Sequence, residues 1–351
     1  MNKNIALTTL SEASKNSKHP LNTSEYFAGI GLVRLGLERA GWHVSFANDI
    51  ADDKYEMYAA YFDDAPDHYI VEDIFKLDIE QIPHTTLATA SFPCIDLSLA
   101  GKQNGLAGVH SSAFWGFIRV LEEQTAKPPL VMLENVNGWL SSNGGDDFRT
   151  TIQALNQLGY ACDVYCLDAI RFTPQSRPRV FVIGQHVPIP NQDFWSLLQR
   201  PDSMATKALK NAIKDNLDLV WNILDVPQPP PKKQSGLSTL VENLPDDDPR
   251  WWSTEEVQRH LHMMADSHRT RIEAFRCQDK WSYRTMYRRV RHGQQRAEVR
   301  ADDTAGCLRT ARGGSSRQML IRAGEGEIQM RHMTPREYAR LQGVPDDYPL
   351  P

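Results

Sequence analysis

The sequence has no apolar run near the ~18 residues that a membrane-spanning helix needs. No membrane partner is therefore expected. The N-terminal stretch MNKNIALTTLSEASKNSKHP lacks the apolar segment of a secretory signal, and residues 1–21 read as a polar tail. Cysteine is scarce: Cys94, Cys162, Cys166, Cys277 and Cys307 in 351 residues make no dense disulfide framework. Reduced thiols and a cytoplasmic location follow as expectations. Metal-ligand spacing is lacking too. Cys162 and Cys166 are followed by no matching His/Cys pair, so core packing on one strand face is the better account and no metal is expected. No internal repeat is visible. What remains is ordinary globular composition, 41 % apolar and 24 % charged, in a chain long enough for about two domains.

The net charge of −5 argues weakly against a polyanion partner. The average conceals an asymmetry. Residues 269–322 carry 14 Lys/Arg against 5 Asp/Glu, a local +9, so the other residues carry −14. With Trp281, Tyr283 and Tyr287 interleaved, this segment suits a nucleic-acid face. A solvated charged surface is the equally simple alternative.

Residues 22–186 alternate strand-like and helical text. Strands are predicted at Ser24–Phe27, His43–Asn48, Leu87–Phe92, Leu130–Glu134, Ala161–Leu167 and Arg179–Gly184. Helices are predicted at Gly31–Ala40, Ser112–Gln124 and Asp146–Leu158. This βαβ rhythm implies an α/β fold with a doubly wound, mostly parallel sheet and ligands at the strands' carboxyl ends. Proline clusters break the pattern after Gly184 (VPIP, VPQPPPKKQ, LPDDDPRWW), so a smaller, irregular second domain is predicted at 187–300. The chain then returns to strand-like text at Gln318–Arg322. A helix start follows at Thr334-Pro335-Arg336-Glu337, with Thr as N-cap, Pro first and Glu third.

Five motifs carry chemistry. The first, Phe27-Ala28-Gly29-Ile30-Gly31, opens a helix directly after a strand, where glycines let a ligand approach the backbone. Asp49 and Ile50 end the next strand, and Asp73 and Ile74 the following unit. A carboxylate at 49 can accept from ribose hydroxyls, and one at 73 can hold an exocyclic amine. The third glycine of a dinucleotide loop is replaced by Arg34, so a nucleoside pocket fits better than an NAD site. A plain structural turn is the bland alternative. The second motif runs a strand into Pro93-Cys94, placing a thiol at the functional edge; a thiolate there is a carbon nucleophile, although a lone cysteine is more often core. The segment that follows, Leu97 to Ser112, reads as a lid. The third ends an apolar strand in Glu134-Asn135-Val136, a carboxyl able to hand over a proton or, more plainly, a helix cap. The fourth, Gln175-Ser-Arg177-Pro-Arg179, sets two arginines on one face of an extended segment, able to donate to a carbonyl or to phosphates. The fifth, Cys307 to Gln318 with Arg309, Arg312, Gly313, Gly314, Ser315, Ser316 and Arg317, lacks any carboxylate and suits a loop along a phosphate backbone.

These motifs, in this order, resemble the C5-cytosine-specific DNA methyltransferases. The resemblance covers about 22–186 and 300–347. It implies a class I, Rossmann-like methyltransferase domain at 22–186, a target-recognition domain at 187–300 and a return to the catalytic domain at 301–351. It further implies S-adenosylmethionine as cofactor, S-adenosylhomocysteine as product, and double-stranded DNA as partner to an otherwise monomeric chain. Phe27 to Gly31, Asp49, Ile50, Asp73, Ile74 and Pro93 would hold the cofactor. Cys94 would attack C6 of a flipped cytosine, Glu134 would hold N3, and Arg179, with Arg177 behind it, would bind O2. Gln175, Arg309, Arg312 to Ser316 and Arg317 would face DNA. Restriction–modification or phage defence would be the setting. Two departures stand out: Ile95 where the family often has Gln, and no Gly-Asn/Asp-x-Val block before Pro351. The second raises the expectation of a partner polypeptide, or of an impaired or split subunit. An NAD-dependent oxidoreductase is the competing class.

Overall fold

The computed structural model describes residues 21–93, 113–291, 293–308 and 317–350. The chain folds as two compact units: residues up to 167 with 178–228, and residues 168–177 with 229–350.

The first unit is built on seven strands: β1 (Asn22–Tyr26), β2 (His43–Asp49), β3 (Tyr69–Val71), β4 (Leu87–Ala90), β5 (Leu130–Val136), β6 (Ala161–Asp168) and β7 (Pro178–Gln185), in the order β3-β2-β1-β4-β5-β7-β6. Strands β3 to β5 pair in parallel through β2, β1 and β4, while β7 runs antiparallel to β5. The mostly parallel α/β sheet is as the sequence indicates, and β3 and the reversal of β7 are additions to it. Helices α1 (Leu32–Arg39), α2 (Asp52–Ala59), α3 (Ala65–His68), α4 (Ala113–Glu123) and α5 (Asp146–Gln157) connect the strands. The apolar stripe of α4 (Phe114, Phe117, Val120, Leu121) packs with Val131 and Leu133 of β5 in the main core. Cys162 and Cys166 lie in this core as well, their thiols pushed up by burial. Among the described residues no group of three or more His, Cys, Asp or Glu is placed to hold a metal, and no helix is long and apolar enough to cross a membrane.

The boundary near 187 lies elsewhere. Residues 187–228, with α6 (Phe194–Gln199) and α7 (Lys207–Lys214), pack on the sheet, burying Leu197, Leu209, Ile213 and Trp221 in the same core. They also satisfy the outer edge of β6. Cys166 donates its N–H to Met204 O and Cys162 to Val220 O, and Cys162 O accepts from Asn222 N–H. An uncovered edge strand would expose this row of backbone groups. The buried Asp163–Arg200 pair, 2.6 Å apart, adds a bidentate link.

The second unit is not irregular. It holds a four-stranded antiparallel sheet in the order β11-β10-β8-β9, from β8 (Ser282–Arg291), β9 (Gln294–Val299), β10 (Met319–Gly324) and β11 (Glu327–His332). Helices α8 (Thr254–Met263) and α9 (Asp266–Arg276) supply Val257, Leu261 and Ile272 to its core with Met286, Met319, Ile321 and Met330. Another cluster joins Leu320 and Met333 to Leu237, Ala305, Leu308 and Leu341 of α10 (Pro335–Leu341). Residues 301–350 thus pack with 229–300. The capping box predicted at Thr334 forms, with Glu337 and Thr334 exchanging bonds. Part of the positive charge of 269–322 is paired inside this unit. Arg289 and Arg291 meet Glu298, Arg300 meets Asp302, and Arg276 meets Glu273. Arg322 bonds Asp246 and lies over Trp281.

Candidate active site

Five parallel strands, β1 to β5, deliver their carboxyl ends to one edge of the first unit. The turn after β1 has Phe27, Gly29 and Gly31 at positive φ (58°, 55° and 80°). Gly31 has no alternative: a Cβ there would lie 2.6 Å from the Phe62 ring and 2.9 Å from that of Tyr58. Gly29 differs, since a Cβ on it would meet nothing within 4 Å. The backbone is bare where a ligand could approach. Its N–H donates to Oδ2 of Asp49 at 3.0 Å, and its carbonyl accepts from the Tyr69 hydroxyl at 3.1 Å. Ala28 N–H reaches Asn48 O, and the Asn48 amide donates to the carbonyls of Ile70 and Glu72. Asn48 and Tyr69 therefore fix three strand ends together; neither stood out in the sequence.

Asp49 accepts a second bond, from Ala51 N–H at 3.2 Å to Oδ1, so the carboxylate is oriented by two backbone donors before any ligand arrives. Beside it Ile50 is 67 % exposed, an apolar side chain left in solvent at a strand end. Asp73 accepts from Phe75 N–H, shaping its own turn. Ile74 is buried and sits against Gly116 of α4, so its side chain belongs to the core and not to a ligand pocket. The donor and acceptor set fits an adenosine: a polar carboxylate for ribose, an apolar face beside it and an open glycine. Arg34, in the place of the third glycine, is buried. It bonds Glu38, Tyr58 and Asp64 and lies 3.9 Å from the Phe62 ring centroid, locking α1 to α2 and α3. Under the loop, burial pushes the Glu25 carboxyl up to about 8, against the pull of the Arg34 charge.

Cys94 and the segment Leu97–Ser112 lie outside the described residues. Their anchor does not. The Asn135 amide, buried at the end of β5, donates to Phe92 O at 3.3 Å, and Pro93 follows exposed. Glu134 Oε1 takes Arg179 Nε at 2.8 Å, both side chains partly exposed. The antiparallel register explains this meeting. Arg179 pairs with Val136, and Glu134 is its diagonal neighbour on the same face.

The other expected residues have different surroundings. Arg177 does not share partners with Arg179. Its N–H donates to Asp168 at 2.6 Å, and its guanidinium turns to Leu308 O and Cys307 Sγ. Gln175, expected to face DNA, is fully buried: its Nε2 donates to Leu341 O and its Oε1 accepts from Leu308 N–H. Its amide is consumed in holding the second unit together. Arg309, Arg312, Gly313, Gly314, Ser315 and Ser316 lie outside the described residues; Arg317 is exposed.

A family model for C-5 cytosine-specific DNA methylase matches residues 21–351. Among curated proteins, the chain is 26 % identical to the Type II methyltransferase M.NgoBI of Neisseria gonorrhoeae, over 93 % of this chain and 84 % of that one. It is 32 % identical to M.BsuFI of Bacillus subtilis over 51 % of this chain, a match spanning 42 % of that relative's length. With M.HhaI of Haemophilus parahaemolyticus it shares 29 % identity over 59 % of this chain and 64 % of that one. The fold resembles that of the S. pombe Dnmt2 methyltransferase, with a TM-score of 0.55 at 16 % identity, covering 94 % of this chain and 88 % of that one.

Proposed function

This chain belongs to the C-5 cytosine-specific DNA methylase family, and from that premise we propose that it methylates C5 of a cytosine flipped out of a specific DNA duplex, as a modification enzyme of the Type II kind. It acts in the cytoplasm, where bacterial DNA lies. The observation that carries this reading is the Glu134–Arg179 pair at the end of β5, one hydrogen bond away from the chain that leads into Pro93-Cys94.

The residues divide the work. Cys94, as thiolate, adds to C6 of the cytosine; the electron pair moves toward N3, and Glu134 offsets it by giving N3 a proton or a hydrogen bond. Arg179 donates to the O2 carbonyl and keeps the ring from rotating. Arg177 supports this strand entry through its bond to Asp168. After C5 has gained its methyl group, a base removes the C5 proton and the Cys94 sulfur leaves with its bonding pair. When bound, S-adenosylmethionine supplies the electrophilic methyl group and ends as S-adenosylhomocysteine. Asp49 would hold its ribose, Ile50 and Phe27 would supply apolar surface for its adenine, Asp73 would take the exocyclic amine, and Gly29 would leave room for close approach.

Cys94→Ser tests the reading. The variant should fold and bind S-adenosylmethionine normally, yet neither methylate DNA nor form a covalent adduct with 5-fluorocytosine DNA. An adduct with the serine variant would remove Cys94 from the chemistry. Nanopore mapping of DNA from cells expressing the chain should show one methylated cytosine motif. Unmodified DNA would overturn the proposal.

A further inference from the structure

Several arginines of the second unit, Arg271, Arg284, Arg288, Arg296 and Arg317 among them, have no ion-pair partner among the described residues, and Arg288 and Arg317 are the two whose charges both bear on His332. Arg288 lies on β8 and Arg317 just before β10, and Arg288 Nε is buried without a hydrogen bond. Met286 and Met319 are the end pair of the β8–β10 ladder, and Arg288 and Arg317 each lie two residues beyond it, where both charges bear on His332. Like charges brought this close repel. Neighbouring arginines on the same strand, 289 and 291, avoid the problem by sharing Glu298.

Behind the pair lie two histidines that flank Trp252. The ring centroid of Trp252 is 4.4 Å from His260 and 5.3 Å from His332. His260 is 1 % exposed. Its Nδ1 faces Glu256 O at 2.9 Å, which makes Nδ1 the donor and leaves Nε2 a bare, buried acceptor. His332 Nδ1 is likewise buried without a partner. Four cationic or ionisable groups thus converge, with Glu256 and Arg259 of α8 as the other charges near them. Glu256 stands 3.5 Å from His260 Nδ1 and also pairs with Arg259, so it offsets the charge on the buried side, while the exposed Arg317 has no carboxylate partner among the described residues.

We propose that Arg288 and Arg317, backed by His332 and His260, form a seat for a backbone phosphate of duplex DNA. This rests on the proposed function and adds to it a named, sequence-independent contact. The seat is proton-linked. Burial, joined by the arginine charges, holds both histidines below the usual imidazole range, while Glu256 pulls the other way. A phosphate placed before the arginines reverses that balance, so a histidine that was an acceptor becomes a donor, and DNA binding takes up protons.

The experiment measures duplex binding by fluorescence anisotropy with the full chain, across salt and at pH 6 and 8, alongside methylation of plasmid DNA. Arg288→Gln and Arg317→Gln should each weaken every duplex alike and lower the slope of log affinity against log salt by about 0.9. Arg288→Lys should retain the slope. His332→Gln should retain its melting temperature and lose part of the gain in affinity between pH 8 and pH 6. If wild type methylates DNA while Arg288→Gln keeps the full salt slope, the seat is wrong and the function stands. If Arg288→Gln weakens one sequence only, the residue reads bases and the phosphate assignment falls. If wild type neither binds nor methylates duplex DNA, both fall.

Discussion

Arg179 reaches Glu134 from a strand running the opposite way, and their side chains meet at 2.8 Å where β5 ends. Glu134→Gln keeps the shape and removes the charge. Methyl transfer in a single turnover is expected to fall by about 10²–10⁴-fold, with cofactor affinity by calorimetry unchanged. Arg179→Lys should also be slow, because an ammonium cannot reproduce the guanidinium fork. A Gln variant at the wild-type rate would take Glu134 out of the reaction.

The two glycines of the first turn should respond differently. Gly31→Ala combines left-handed strain with a clash against Phe62, and about 3 kcal/mol of stability should be lost. Gly29→Ala bears the strain alone, about 1–2 kcal/mol. Its methyl group enters the open space, so S-adenosylmethionine binding should weaken at least about tenfold while the fold survives. Unchanged cofactor affinity in Gly29→Ala would place the ligand elsewhere.

Glu25 ties stability to pH. Its carboxyl ionises near 4.5 in the unfolded chain and at about 8 when buried under the loop. The unfolded state therefore loses its proton first. Stability from this group is full below about pH 4.5 and is lost as pH rises to 8, by about 1.4 kcal/mol per pH unit. Glu25→Gln should be more stable than wild type at pH 8 and show a flatter profile in urea titrations. Parallel profiles would mean that Glu25 is ionised in the folded protein.

In the second unit, Arg331 and Glu337 are both fully buried and joined by two hydrogen bonds, while Glu337 also accepts from the N–H groups of Thr334 and Glu242. Glu337→Ala leaves a buried guanidinium alone and should cost about 3–5 kcal/mol. The Arg331→Met, Glu337→Met pair should recover much of the loss. A double variant as unstable as the single one would show that the backbone bonds, and not the ion pair, dominate.

The sequence reveals the sheet where apolar strands alternate with amphipathic helices, as in β4, β5 and α4. It conceals β3, whose three residues are too few to show a period. It conceals the β8–β9 hairpin, where Arg and Gln dominate strands whose buried positions are few. The ends of β1, β2 and β5 were legible because glycine and carboxylate at strand ends have few other uses. The fates of Gln175, Arg177 and Ile74 were not, because a motif states which residue is present and not which neighbour it meets. Charge counting also misled in part. A run of arginines looks free in one dimension, and the carboxylates that neutralise it, such as Asp246 and Glu298, come from other segments or the opposite strand.

The reversed strand has a consequence for synthesis. β7 fills the gap between β5 and β6, yet it is made after both. Until Pro178–Gln185 has left the ribosome, β5 is an open edge carrying Val131 and Leu133, and Glu134 has no counter-charge. At about 5–20 residues per second, that interval lasts seconds. A nascent chain stalled before Pro178 should capture edge-binding chaperones and aggregate on release, whereas one stalled beyond Gln228, with its exit-tunnel length added, should already resist protease across the first unit.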